Sequence, residues 1–263
     1  MHSDIFDRYH HSNSPLHRLD PRIKVVIAIA FILSNALLPD GAWTAYGLSF
    51  LFLLLAVIFS NLGFLFTIRR SLIALPFALA AVTVLFLPLG TPVTTFRFLF
   101  WNLTITDVGL IRFISIVIRS WLSVQMAVLL VAVTQFPDLI HALEHLHVPR
   151  IITTIIAFLY RFLFILTDEV LRLLRARKAR SAGVAGRRAG GDVIWRAQVA
   201  GHMTGQLFLR SYERSDRIYN AMLSRGYTGN LRTLNPHQIH GRDLMVATLA
   251  LVLVLIIQIF GYL

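Results

Sequence analysis

Residues 151–180 read IITTIIAFLYRFLFILTDEVLRLLRARKAR. The first half is apolar and the second half is basic. The segment predicts one long helix, from Ile151 to about Ser181. Asp168 and Arg172 stand four residues apart with the acid on the N-terminal side, the favourable order on a helix. Arg175, Arg177, Lys178 and Arg180 crowd the last turns, where the helix dipole favours cations. Gly183, Gly186, Gly190 and Gly191 then break the pattern. Whether Ile151–Leu166 crosses a membrane or lies along one decides the topology of the whole chain.

That a membrane is involved follows from composition. Of 263 residues, 56% are hydrophobic and only 14% are charged. Mean hydropathy is +0.68. A soluble domain is nearer a quarter charged. A helical span needs about 17–25 mostly apolar residues. Thr44–Ser60 qualifies and can run on to Ile68. Ser71–Leu89 qualifies with Pro76 and Pro88 inside it. Ile111–Val133 carries Arg112, Arg119 and Gln125. Leu244–Leu263 reads LMVATLALVLVLIIQIFGYL, with Gln258 its most polar group. Val25–Leu38 is short, but Arg22 and Lys24 before it can snorkel to the headgroups and lengthen it. The first 24 residues are polar, so no signal peptide is expected. Without cysteine there is no disulfide framework and no thiol chemistry.

Charge then settles the parity. The net charge is +12. With a cytoplasmic N-terminus, four spans return the chain to the cytoplasm near Gln135. A further crossing at Ile151–Leu166 would put Thr167–Arg242, with 14 Arg and Lys residues, outside. The positive-inside rule opposes that. Without that crossing, the inner side holds Arg8, Arg18, Arg22, Lys24, Arg69, Arg70 and 16 basic residues between Gln135 and Arg242, against Arg97 outside. The expectation is five spans, N-terminus in and C-terminus out.

The cytoplasmic segment carries three helices. Pro137–His147 puts Leu139, Ile140, Leu143 and Leu146 on one face and His141, Glu144 and His145 on the other. Val148-Pro149 ends it. Ile151 to Ser181 follows. A third helix runs from about Val193 to Ser224, with Phe208, Tyr212, Tyr219, Met222 and Leu223 at helical spacing and Glu213–Arg217 as a second i,i+4 pair. It stops at Ser224-Arg225-Gly226, where Gly after the last turn is the expected signal. Arg180 and Arg225 thus each finish a long amphipathic helix beside a Gly-containing turn. A guanidinium suits a planar carboxylate contact on a soluble partner. It equally suits helix carbonyls and anionic lipid. These residues alone leave both readings open.

Taken in order, several segments resemble a known family. They are Leu19-Asp20-Pro21-Arg22-Ile23-Lys24, Phe136-Pro137-Asp138-Leu139 through Val148-Pro149, Tyr160-Arg161-Phe162, Asp168-Glu169 and the two Arg motifs. The chain resembles, over nearly its whole length, the T component (EcfT) of energy-coupling factor transporters, cobalt-type CbiQ subgroup. The resemblance implies an all-α polytopic membrane protein. About five transmembrane helices are joined by a large cytoplasmic amphipathic coupling-helix arm. The divisions would be 1–134 for the tail and four spans, 135–242 for the arm and 243–263 for the last span.

It also implies a non-catalytic subunit that joins a pair of ABC ATPase subunits to a CbiM-like membrane S component. ATP and Mg would sit on the ATPases, and no cofactor or metal on this chain. The docking motifs would be Ala179-Arg180-Ser181 and Ser224-Arg225-Gly226; the first lacks the family's Gly and the second its Ala. Asp20, Pro21, Arg22, Lys24, Arg161 and Glu169 are further family-motif residues. The substrate implied is cobalt, with nickel or a vitamin as alternatives. The location is the inner membrane of a prokaryote.

Other features compete. No GxxxxGK[ST] occurs, so ATP, if used, is hydrolysed by another chain. His141-Ala-Leu-Glu144-His145 matches HxxEH, which would make a membrane metalloprotease, but no third ligand is evident. His2, His10, His11 and His17 read as a polar tail. Arg112 near the outer end of its span can snorkel, while Arg119 should face protein, as structural support. The basic residues follow topology rather than an aromatic–basic platform, so nucleic acid is not an expected partner.

Overall fold

The chain is described here from a computed structural model that covers residues 9, 12, 14–72, 81–86, 92–98, 101–146, 148–180, 192–229 and 239–263. Ser14 opens a short helix, α1 (Pro15–Arg18), by accepting from the His17 amide. Asp20 then caps α2 (Pro21–Leu37): its Oδ1 accepts from the Arg22 amide at 2.9 Å, and Pro21 fills the first helical position, where no amide is needed. α3 (Trp43–Ser60) does not run on toward Ile68. It ends at Asn61 in the left-handed conformation (φ +54°), and Gly63 (φ +76°) turns the chain into α4 (Phe64–Ser71). Asn and Gly are the residues that tolerate that backbone.

Of the expected span Ser71–Leu89, Ser71 ends α4, Leu72 caps it and Ala81–Phe86 form a 3₁₀ segment; the remainder lies outside the described residues. An antiparallel hairpin follows, β1 (Pro92–Phe98) with β2 (Trp101–Thr106), in a register that pairs Phe98 with Trp101 and is interrupted between Pro92 and Thr94. Among the described residues the regular structure is otherwise helical. Thr106 caps α5 (Asp107–Val133), its Oγ1 accepting from the Gly109 amide at 3.2 Å. Gly109 must lack a side chain: a Cβ there would lie 2.8 Å from the Leu85 carbonyl. The remaining helices are α6 (Phe136–His145), α7 (Arg150–Arg180), α8 (Val193–Ser224) and α9 (Gly241–Tyr262).

Contacts divide the described chain into two units, one from residues 147–235 and one from residues 5–146 with 236–263. In the second unit α2, α3, α5 and α9 pack as a bundle, with α4 on α5 and α6 on α2. Ala28 and Phe31 of α2, Leu53 and Val57 of α3, Leu122 and Leu129 of α5 and Val254 of α9 form its core. Phe31 stacks on Phe52 with centroids 5.2 Å apart. The outward faces stay apolar, as in Leu255 (62% exposed) and Ile259 (60%), which is the inverse of a soluble bundle. The polar group within α9 is satisfied: Ser34 Oγ donates to Gln258 Oε1 at 2.7 Å.

Four described helices, α3, α5, α7 and α9, are long and apolar enough to cross a membrane. At 17 residues, α2 is about 25 Å long. The chain is thus a polytopic helical membrane protein. α7 meets the same length and apolarity condition, so only the charge argument distinguishes Ile151–Leu166 from a span.

The link from α2 to α3 is pinned by polar contacts. Arg119 Nη1 donates to the Leu38 carbonyl at 2.6 Å and Nη2 to Asp40 Oδ1; Arg112 Nε lies 3.4 Å from Asp40 Oδ2. Arg112 and Arg119 are seven residues apart on one face of α5, so one carboxylate meets both. Asp40 is the partner that the apolar context of Arg119 requires. Ser115 Oγ accepts from the Gly41 amide at 3.0 Å.

In the other unit, α7 and α8 form an antiparallel pair. Glu169 meets Arg210, and the Phe158 ring meets Tyr227 edge-on at 6.3 Å.

Candidate functional site

Arg180 is the last residue of α7, and Ala179 precedes it; both are exposed. Ser181 lies outside the described residues. α8 ends in a Schellman closure that the Arg-Gly pair makes possible. The Gly226 amide donates to the Leu223 carbonyl at 3.0 Å, and the Tyr227 amide to the Met222 carbonyl at 3.0 Å. This closure needs a left-handed residue after the cap, and Gly226 supplies it at φ +80°. Arg225 sits at the cap with its own amide on Met222, and Ser224, Arg225 and Gly226 are all exposed. The closure therefore fixes the backbone while leaving the Arg225 guanidinium facing outward at the helix end.

The two tips are not brought together. Tyr227, two residues beyond Arg225, packs on Phe158, whereas Arg180 lies 22 residues along α7 from Phe158. At 1.5 Å per residue the two arginines stand about 33 Å apart. The pair carries a cation at each of its two ends.

Glu169 holds the spacer together. Its Oε1 accepts from Arg210 Nη1 at 2.7 Å, and its Oε2 lies 3.7 Å from Arg172. The Arg210 hydrogen bond keeps the Glu169 carboxyl below its usual value, against the opposing effect of burial; the charges of Arg172, Arg210 and Arg214 act the same way as the hydrogen bond. Arg172 thus pairs with Glu169 three residues earlier, instead of the expected Asp168. Arg217 likewise donates to the backbone carbonyl of Glu213 at 3.4 Å. Arg161 is exposed on α7. Arg210 and Tyr227 had no sequence signal as partners, because neither spacing nor composition links residues 41 or 69 positions apart.

The remaining motif residues build a corner of the bundle. Besides Asp20 and Pro21 at the start of α2, Lys24 Nζ donates to the His17 carbonyl at 2.9 Å and to the Val133 carbonyl, at the end of α5, at 3.4 Å. Arg22 Nη2 lies 2.8 Å from His145 Nε2 on α6. Lysine at a helix C-terminus meets carbonyls that have no helical partner. Within α6 the buried side is formed by Ile140 and Ala142, while Leu146 is exposed. His141 and His145 are adjacent, with ring centroids 4.8 Å apart. The Nε2 of His145 is turned to the Arg22 guanidinium, an arrangement that opposes metal ligation. Among the described residues no group of three His, Cys, Asp or Glu side chains is placed to hold a metal ion. His17 Nδ1 hydrogen-bonds Ser14 Oγ at 2.6 Å; His2, His10 and His11 lie outside the described residues.

Comparison with known proteins agrees with this architecture. The cobalt transport protein (CbiQ) family profile matches residues 12–238. The chain is 30% identical over 237 residues to the energy-coupling factor transporter transmembrane protein EcfT of Listeria innocua, covering 87% of this chain and 86% of that protein. It is 28% identical over 264 residues to the EcfT of Streptococcus equi subsp. equi, covering 97% and 94%. An uncharacterised protein of Methanocaldococcus jannaschii is 27% identical over 260 residues, covering 97% and 86%. The chain therefore belongs to the CbiQ cobalt transport protein family, as an EcfT-type transmembrane component of energy-coupling factor transporters.

Proposed function

We propose that the chain is the coupling subunit of an ATP-driven importer, with Arg180 and Arg225 each docking in an acidic groove of one of two ABC ATPase subunits. Nucleotide-driven approach of the ATPases moves the helix ends, and the α7–α8 pair passes that motion to a membrane S component that holds the substrate. The chain itself does no chemistry and holds no cofactor; ATP and Mg belong to the ATPases. The observation that carries this reading is the pair of exposed arginines at the two ends of one helical spacer, about 33 Å apart. One docking point would need a single tip, and lipid binding alone would not need the Gly226 closure that fixes the second.

The substrate proposed is cobalt, with nickel the closest chemical competitor, and the S component is of the CbiM kind. N-terminus in and C-terminus out is the orientation that keeps the basic segment cytoplasmic.

Co-purification tests the docking. The wild-type chain should retain both ATPase subunits. Arg180→Glu with Arg225→Glu should lose them and abolish uptake, each single variant giving an intermediate loss. Normal assembly and transport by the double variant would overturn the assignment. Radioactive cobalt uptake, competed by nickel or by a vitamin, identifies the substrate. Competition by the vitamin alone would remove cobalt from the proposal.

A further inference from the structure

Between α7 and α8 lies a groove of about 150 Å³. Ile165, Leu166 and Leu207 form its apolar wall, and Glu169, Arg210 and Arg214 its charged one. Ile165 and Leu166 belong to the apolar run that begins at Ile151, and Glu169 follows Leu166 within one helical turn. The groove therefore stands where α7 changes from apolar to charged sequence. On a chain held in a bilayer, that change marks the level of the lipid headgroups.

The charged wall holds more cation than its carboxylate can match. Arg210 Nη1 donates to Glu169 Oε1, and Arg172 lies 3.7 Å from Oε2. Arg214 makes no hydrogen bond or ion pair among the described residues, yet its charge also acts on the Glu169 carboxylate. Three guanidinium groups therefore converge on one carboxylate. Glu213 and Arg217 line the same groove, but Arg217 donates to the Glu213 backbone carbonyl. Four cations thus meet two carboxylates, an excess of positive charge that an added anion relieves. The Arg172 and Arg210 side chains are 72% and 54% exposed, so most of their N–H donors stay available. A phosphodiester accepts the paired N–H groups of a guanidinium. A soluble phosphate would make no use of the apolar wall beside them.

We propose that this groove binds the phosphodiester of an anionic phospholipid, with Arg210 and Arg214 holding the phosphate and Ile165, Leu166 and Leu207 covering the start of an acyl chain. Basic pockets between helices on the cytoplasmic side of a membrane suit such headgroups. The lipid ties the α7–α8 pair to the membrane surface between its two tips. Its placement in the inner leaflet rests on the orientation proposed above. The binding itself depends neither on that orientation, nor on the arginine tips, nor on what the transporter carries.

Native mass spectrometry of the full chain in dodecyl maltoside tests it, with dioleoyl phosphatidylglycerol or dioleoyl phosphatidylcholine added. The wild-type chain should bind phosphatidylglycerol, and phosphatidylcholine more weakly. Arg214→Gln leaves the Glu169–Arg210 bond in place and should weaken phosphatidylglycerol binding about tenfold, the effect of one lost hydrogen bond to a charged group. Arg177→Gln, farther along α7, should leave it unchanged. Equal binding of the two lipids would overturn the proposal, as would equal losses in the two variants or no loss in Arg214→Gln. If Arg214→Gln does not fold, Arg214→Lys decides: it keeps the charge but not the planar fork, and unchanged binding overturns the site. Release of the lipid by millimolar inorganic phosphate would assign the groove to a free phosphate. Release by added ATPase subunits would assign it to an acidic segment of that partner. Either result removes the lipid from the proposal.

Discussion

Arg210 Nη1 donates to Glu169 Oε1 at 2.7 Å, and this bond joins α7 to α8 between the two arginine tips. It ties together the two helices that the proposed coupling uses. Glu169→Arg should decouple the helices, and Glu169→Arg combined with Arg210→Glu should restore them. The distance between spin labels at positions 180 and 225 should broaden in the first variant and narrow again in the second. The pH dependence follows in sign. Because the folded carboxyl lies below its ordinary value of 4.5, the bond is fully present above that value. It is lost as pH falls through the lower folded value. The label distance should therefore be constant above pH 4.5 and broaden only in more acid solution.

Gly226 fixes the backbone of the second tip. Its φ of +80° is unfavourable for any L side chain, while nothing lies within 4 Å of a Cβ built there. Gly226→Ala should cost about 1 kcal/mol from backbone conformation alone. Hydrogen exchange should show it as lost protection at the Gly226 and Tyr227 amides. Gly226→Asn should cost less, since Asn tolerates the left-handed region.

Arg119 and Arg112 share Asp40 unequally. The Arg119 side chain is 18% exposed, and that of Arg112 is 40% exposed. Arg119→Gln should therefore destabilise the bundle by about 2 kcal/mol, the scale of a lost hydrogen bond to a charged group, and Arg112→Gln by far less. Thermal unfolding in detergent measures both. Asp40→Asn should fall between them.

Orientation is readily checked, because the chain has no cysteine. Single cysteines at positions 92 and 263 should react with a thiol reagent that cannot cross membranes, and one at position 187 should react only after the membrane is opened. Reaction at 187 in sealed cells would overturn the five-span topology.

Much of this molecule is legible in the chain because lipid simplifies the problem. A helix in a bilayer must satisfy its own backbone, so a long apolar run is enough to announce a crossing element. Thr44–Ser60, Ile111–Val133 and Leu244–Leu263 appear as helices for that reason. Ser224-Arg225-Gly226 was legible as a helix stop because the Schellman closure demands a left-handed residue at one position. The continuation of α3 toward Ile68 was misleading: hydropathy does not register that Asn61 and Gly63 accept left-handed backbone. The hairpin of β1 and β2 was missed because a short ribbon between long apolar runs carries little periodic signal.

By itself the sequence determined the membrane-spanning character of the protein, the basic segment and its two arginine-ended helices, since these depend on local composition and spacing along the chain. Only the tertiary structure decided which polar groups meet: Glu169 with Arg210, Asp40 with Arg112 and Arg119, Arg22 with His145. It also decided that the two tips stand at opposite ends of one helix pair. Such pairings depend on how helices cross in space, and residues tens of positions apart leave no periodic trace of that crossing in the chain.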